Sequence, residues 1–293
     1  MSKMKCINCK KNDFKIIYNG KIRSGSYGKN TDKNHKIIEC INCGLTRMEE
    51  FVNIDYISDS YRLLYNDSNK ISDYFKNHDH EQNGRINKIG IEKFRNKIVL
   101  DFGSGGGSFL DLVKGISSLT IAVEPFKGFH KSLKERGHLV FSDIKECSEY
   151  IDKVDIIISF GVIEHIDDPL GYLKSAFSLI KKDGIMYIET DNLKDILMHF
   201  QIPEFDSFYF RTVHTYYFDS KSLKDLCQNA GFTNIKTDYR HGYGISNTFN
   251  WLKDFKPSGD SRLEFLSEDL DDFWIKYLEK KGMAELLHFE ISK

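Results

Sequence analysis

Four prolines and two tryptophans in 293 residues leave no room for a proline-rich spacer, and no low-complexity tract interrupts the chain. With 40% apolar and 29% charged residues, the composition is that of a folded globular protein and excludes wholesale disorder. Long hydrophobic runs are also missing. The longest, Ile156 to Ile163, is broken by Ser159 and Gly161, far short of the ~20 residues needed to span a membrane. The N-terminus carries charge but no apolar stretch of the kind a secretory signal needs, so the cytoplasm is the expected location and no membrane insertion is expected. Six cysteines in a chain this long do not make a small disulfide scaffold. The length allows one large or two modest domains.

The net charge of −1 hides an uneven division. Residues 1–50 hold eleven Lys/Arg against five Asp/Glu, and the remainder is correspondingly acidic. The cysteines divide in the same way. Cys6, Cys9, Cys40 and Cys43 form two matched C-x-x-C pairs, whereas Cys147 and Cys227 stand alone. Two residues between thiolates let both sulfurs face one ion, and two such knuckles make a closed tetrahedral site for structural zinc. Disulfides are the alternative, disfavoured in a chain without a secretion signal. A hairpin built from Ile16–Tyr18 and Ile37–Glu39 is expected between the knuckles, giving a zinc ribbon over 1–50. Zinc ribbons can bind nucleic acid, but the lysines here are scattered with little aromatic interleaving, so nucleic acid is not the expected partner.

A Tyr-rich segment at 51–83 reads as a linker or lid, and from about residue 84 short β-branched runs alternate with helical patterns. That alternation predicts βαβ units and a mostly parallel sheet with an antiparallel last strand. Strands are expected at 97–101, 119–124, 138–141, 154–159 and 185–189, and helices at 108–115, 126–136 and 169–181. Asp219 or Ser220 should cap a further helix that ends at Gly231. Strands at 232–239 and 244–251 should follow, closing a domain at 84–255. Residues 256–293 should form a docking helix, with Leu263, Leu266, Leu270, Phe273 and Tyr277 on one stripe.

Between the first strand and its helix lies a glycine-rich turn, Gly103, Ser104, Gly105, Gly106, Gly107 and Ser108. Ser108 stands where a dinucleotide fingerprint needs its third glycine, and Asp101 would repel a pyrophosphate. An anion at that strand end suits a cationic ligand. Glu124, ending the second strand, can accept from ribose hydroxyls, and Asp143 from an adenine amino group. A nucleoside with a positive end and no phosphates fits S-adenosylmethionine (SAM).

These segments resemble class I SAM-dependent methyltransferases. Val99 to Leu110 looks like motif I, Ala122 to Pro125 like the ribose-binding step, and Ser142 to Ile144 like the adenine-binding step. Phe160 to Pro169, with Glu164 and His165, is similar to the strand-four signature. The resemblance implies a Rossmann-like sheet and a SAM site formed by Asp101, Gly103, Ser104, Gly105, Gly107, Glu124, Pro125, Asp143, Ile144 and Phe160. A four-cysteine ribbon ahead of this domain is similar to bacterial sugar C- and O-methyltransferases, and Thr212 to Leu223 resembles a stretch whose histidine lies near the acceptor there. Val213 replaces the acidic neighbour of that histidine, which weakens the case for C-methylation and fits O- or N-methylation, with O-methylation the favoured expectation. The sugar C-methyltransferases also carry a further C-terminal domain, and the few residues after Lys253 are too short for one.

A hydroxyl acceptor needs its proton removed as the bond forms, so His165 and His214 are the candidate bases, with Glu164 and Tyr65 as further catalytic candidates. Glu164 and His165 could instead hold a divalent metal, as in some quinone methyltransferases. The aromatic cluster from Phe205 to Phe218 could wall a sugar site or simply pack the core. The expected acceptor is a sugar or nucleotide-linked sugar of surface-polysaccharide biosynthesis, and a homodimer is the candidate assembly. The competing readings are an RNA or protein methyltransferase that recognises its substrate through the basic ribbon, and a non-catalytic SAM-binding scaffold.

Overall fold

The computed structural model describes residues 4–58, 71–259 and 261–293. Two sheets organise it. The smaller begins with β1 (Phe14–Gly20), β2 (His35–Cys40) and β3 (Thr46–Met48), all antiparallel. The larger takes β4 (Ile98–Phe102), β5 (Leu119–Val123), β6 (Leu139–Phe141), β7 (Val154–Phe160) and β8 (Ile180–Asp191) in parallel. A two-residue strand, β9 (Tyr216–Tyr217), returns to the small sheet. Strands β10 (Asn234–Arg240) and β11 (Leu286–Ser292) finish the large one, in the order β10-β11-β8-β7-β4-β5-β6.

The central strands are apolar on both faces. Val99, Leu100, Ile121, Ala122 and Ile156 to Ile158 are buried, as strands covered by helices on both sides must be. The helix Pro169–Leu179 starts where proline is tolerated, with Asp168 accepting from the Gly171 N–H at 2.9 Å. The helix Ser220–Ala230 carries a capping box between Asp219 and Ser222 and ends at Gly231, whose φ of 115° is left-handed. Both ends match the sequence expectation.

The segment after β10 does not. Residues 244–251 form not a strand but the start of a helix, Ile245–Asp254. Its polar side chains are fixed by tertiary bonds: Asn250 Nδ2 donates to Ser258 Oγ at 3.0 Å, and Trp274 Nε1 to Thr248 Oγ1 at 3.2 Å. The last helix, Glu268–Lys281, buries Leu278, while Phe273 is 65% and Leu270 42% exposed, so the stripe assigned to docking faces outward. The chain then supplies β11, which inserts antiparallel between β8 and β10. Segment 256–293 therefore completes the large sheet as well as forming a helix.

The cysteine knuckles close on each other. The Sγ atoms of Cys6 and Cys43 lie 3.5 Å apart, those of Cys9 and Cys40 3.4 Å, and all four fall within 4.8 Å. A disulfide needs about 2.05 Å. A tetrahedron with zinc–sulfur bonds of about 2.3 Å has edges of about 3.8 Å, so the cluster is compatible with a zinc ribbon. The ribbon is joined to the large domain by β3–β9 pairing, with Thr46 opposite Tyr217 and Arg47 opposite Tyr216. Arg23 N–H donates to Phe210 O, and Thr212 N–H to Arg23 O, each at 2.9 Å. Cys6, Cys40, Cys43 and Leu45 pack in one apolar cluster with Leu223, Leu226 and Phe232. A shared core and shared sheet predict one cooperative unfolding transition for the whole chain. Cys40→Ser should lower its midpoint by more than about 5 °C in calorimetry, the equivalent of a loss of about 2 kcal/mol. A separate low-temperature ribbon transition would contradict this integration.

Candidate active site

The large cavity, 1690 Å³, opens at the carboxyl ends of the parallel strands, where ligands bind in open α/β sheets. It exceeds the 300–1,000 Å³ typical of a single small-molecule site, leaving room for a cofactor and an acceptor together. Gly103, Gly105, Glu124, Pro125, Phe160, Glu164, His165 and His214 line it, so most of the residues expected from sequence meet there. Asp101, Ser104 and Gly107 are buried behind the lining. Asp143 is exposed and Ile144 buried, and neither lines the cavity. Tyr65 lies outside the described residues.

The glycine turn forms a cradle. Gly103 and Gly105 adopt φ of 74° and 53°, values that side chains rarely tolerate. A Cβ on Gly103 would come within 2.5 Å of Val162 Cγ2, and one on Gly105 would strike the Tyr74 hydroxyl. Glu124 is pinned below this turn: its Oε2 accepts from Gly105 N–H at 2.7 Å and its Oε1 from Phe126 N–H at 2.8 Å. Burial pushes the Asp101 carboxyl up to about 8, an effect only partly opposed by Arg85 and reinforced by Glu124. The cradle, the ribose-facing carboxylate and the excess of negative charge fit SAM, a cationic nucleoside.

On the opposite wall His165 Nδ1 donates to Val213 O at 2.8 Å, and Tyr56 Oη donates to the same carbonyl at 3.1 Å. A carbonyl only accepts, so the proton sits on Nδ1 and Nε2 keeps its lone pair. Burial holds His165 down to about 4, so the ring is neutral at ordinary pH. The His214 ring lies edge-on to it, centroids 4.7 Å apart. Burial, then Arg211, press His214 well below its ordinary range. Asp191 Oδ2 lies 3.6 Å from His214 Nδ1 but accepts from Arg211 Nη2 at 2.8 Å, so its charge is already committed. Glu164 accepts from Thr190 Oγ1 at 2.8 Å and is pushed up to about 8, by burial first and then by Asp191. Donor atoms of Glu164, His165 and His214 fall within 4.8 Å of one another, which supplies the third ligand the sequence does not reveal for a divalent ion.

Tyr56, Asp191, Arg211, Glu189, Arg85 and Arg240 also belong to this wall and escaped the sequence reading. Arg85 Nε donates to Glu189 Oε1 at 2.8 Å and Arg240 Nε to Glu189 Oε2 at 2.7 Å. This clamp ties the helix Ile71–Ile89 to β8 and β10, and holds Glu189 well below the usual carboxylate range despite its burial. The one available signal was Glu189's position at the carboxyl end of the fifth parallel strand.

Asp101 and Glu285 are raised to about 8 and Asp195 to about 7, burial being the first cause in each. A folded-state value above the unfolded one means that the native protein binds more protons between the two, so stability falls as pH rises. The lowered values of His165 and His241, both about 4, act oppositely but are exhausted above about pH 6.5, the ordinary histidine value. Melting of the ligand-free protein should therefore move to lower temperature between about pH 6.5 and 8.5. Glu285→Gln should flatten that slope, and a midpoint rising over this range would contradict the assignment.

The comparisons with known proteins agree with this geometry. Residues 74–237 match the family model described as a methyltransferase domain. A ubiquinone biosynthesis O-methyltransferase from Histophilus somni is 28% identical over 108 residues, 33% of this chain and 45% of its own length. A tRNA U34 carboxymethyltransferase from Campylobacter lari is 24% identical over 160 residues, 52% of this chain and 54% of its own length. The chain thus spans about half the length of the curated relatives it matches. A SAM-dependent methyltransferase structure from Archaeoglobus fulgidus superposes with a TM-score of 0.52 at 20% identity, over 80% of this chain and all of that one, and shows the same fold. No helix among the described residues is long and apolar enough to cross a membrane. With its family model covering more than half of the chain, its sheet order and its nucleoside cradle, the protein belongs to the class I SAM-dependent methyltransferases.

Proposed function

We propose that the protein transfers a methyl group from SAM to a hydroxyl of a small-molecule acceptor, a sugar in the first instance. The observation that carries this reading is that the His165 ring, held through Nδ1 by Val213 O, and the nucleoside cradle line one cavity. Phe205, Phe208, Tyr209 and Trp251 supply aromatic faces on the acceptor side, as a carbohydrate site would need. When bound, SAM supplies a methyl group activated by its sulfonium. An acceptor oxygen would bond to the methyl carbon while the carbon–sulfur electron pair stays on sulfur, and the acceptor proton would pass to His165 Nε2. Val213 O and Tyr56 hold the ring for that transfer, and His214 closes the pocket against water. Holding both partners in line contributes up to ~7–11 kcal/mol.

Nine carboxylates against four guanidiniums line the cavity among the described residues, which favours an uncharged or cationic sugar over a nucleotide-linked one. The same balance disfavours RNA, although one relative's name refers to tRNA. A second reading follows from the Glu164, His165 and His214 cluster: a divalent ion there would polarise the acceptor hydroxyl instead. We further propose that Cys6, Cys9, Cys40 and Cys43 hold structural zinc, since four thiolates leave no open position for catalysis.

Labelled SAM offered with a panel of free and nucleotide-linked sugars tests the acceptor class. Glu124→Ala should weaken SAM binding ~10- to 100-fold in calorimetry, the scale of one or two charge-assisted hydrogen bonds. His165→Ala should leave that affinity intact and lower turnover ~10²- to 10⁴-fold. Turnover within threefold of wild type would remove His165 from the chemistry, and its abolition by a chelator with zinc retained would favour the metal reading.

A further inference from the structure

The acceptor end of the cavity has a built acidic corner that the methyl-transfer chemistry does not use. Asn192 N–H donates to Glu285 O at 2.7 Å and Ile196 N–H to Met283 O at 3.0 Å, which lays the segment carrying Asp195 against the segment carrying Glu285. Asp195 is 5% exposed, and its Oδ1 accepts from Leu197 N–H at 2.7 Å. Glu285 Oε1 accepts from Gly242 N–H at 2.9 Å. The second oxygen of each carboxylate has no hydrogen-bond partner among the described residues, and neither residue forms an ion pair there. The nearby guanidiniums are spent elsewhere, Arg211 on Asp191 and Arg240 on Glu189. His241 offers no compensation: its Nδ1 accepts from Glu285 N–H at 3.1 Å, as only a neutral ring can.

An independent observation points into the same corner. The Tyr209 hydroxyl is buried with no hydrogen-bond partner among the described residues, lines the cavity, and interacts electrostatically with Asp191 and Asp195. Buried polar atoms are rarely left unsatisfied unless something completes them. Trp251, its ring 5.1 Å from that of Phe205, lines the same cavity.

We propose that Asp195, Glu285 and Tyr209 form a subsite for the protonated amine of the acceptor, so that the substrate is an amino sugar or a similar amine-bearing polyol. The ammonium would take the open oxygens of both carboxylates and the Tyr209 oxygen, three acceptors for its three protons. The lining supports this, because carboxyl groups outnumber guanidiniums along the cavity. So does the burial that raises both acids, since a bound cation would restore their ionised forms. The proposal rests on the small-molecule reading of this cavity, and it adds what selects the acceptor there.

Calorimetry on the full chain saturated with S-adenosylhomocysteine tests it, using D-glucosamine and D-galactosamine against D-glucose and D-galactose. At least one amine should bind 10-fold or more tightly than its neutral counterpart. That preference should vanish in the Asp195→Asn, Glu285→Gln double variant. Both changes preserve the cap of the helix Ile196–His199 and the Gly242 contact, because the amide oxygen still accepts. Tyr209→Phe should reduce the preference without removing it. No amine preference in the wild type, or one that survives in the double variant, overturns the proposal. Methyl transfer to neutral sugars with no amine preference would overturn the subsite alone. Amine-selective binding with no methyl transfer to any hydroxyl would instead overturn the O-methylation reading.

Discussion

The pairing of β3 with β9 is the constraint on which the acceptor side depends. Two residues of the cysteine ribbon and two of the large domain share that ladder. Met48 N–H donates to Thr215 O at 3.0 Å, and Thr215 N–H donates to Glu164 O at 2.8 Å. A continuous backbone path therefore runs from the cysteine knuckles to the Glu164–His165 turn. Val213, one residue away from His214, holds His165 through its carbonyl. Without the ribbon, the loop from Arg211 to Thr215 would lose the strand beside it and the bonds to Arg23 on its flank. The ribbon is then part of the wall that carries His165 and His214, a structural use of the segment that does not depend on its basic charge.

Electrostatics divide the cavity into two ends. At the nucleoside end, Glu124 lines the cavity with Asp101 buried behind it, an arrangement suited to a ligand that brings its own positive charge. At the acceptor end, Glu189 and Asp191 are neutralised by arginines, whereas Asp195 and Glu285 are not. Buried, uncompensated carboxylates cost stability, and retaining them makes physical sense when a ligand completes them. On the proposed amine subsite, the pH dependence of the ligand-free fold and the selectivity for the acceptor would have one physical source.

The SAM half was legible in the sequence because its information is local. A strand, a glycine turn and a helix are contiguous, and positive φ at Gly103 and Gly105 can be read from residue type alone. The two caps around Asp168 and Asp219 are local in the same sense. Of the other half, Glu164, His165 and His214 were legible, whereas Tyr56, Arg85, Asp191, Arg211, Arg240 and Glu285 were not, because they are spread across the whole chain. The C-terminal elements failed for a related reason. Residues 244–251 alternate in a strand-like way, but contacts to Ser258 and Trp274 hold them helical. The antiparallel strand falls instead in the last eight residues, after a helix whose apolar stripe faces solvent.

Hydrogen exchange with and without zinc tests the central claim most directly, because it needs no knowledge of the acceptor. Release of zinc by a thiol-directed reagent should deprotect residues 211–218 and the turn at 163–166, while amides of β4, β5 and β7 keep their protection. Unchanged protection at 211–218 after complete zinc release would contradict the view that the ribbon holds the acceptor side of the active site.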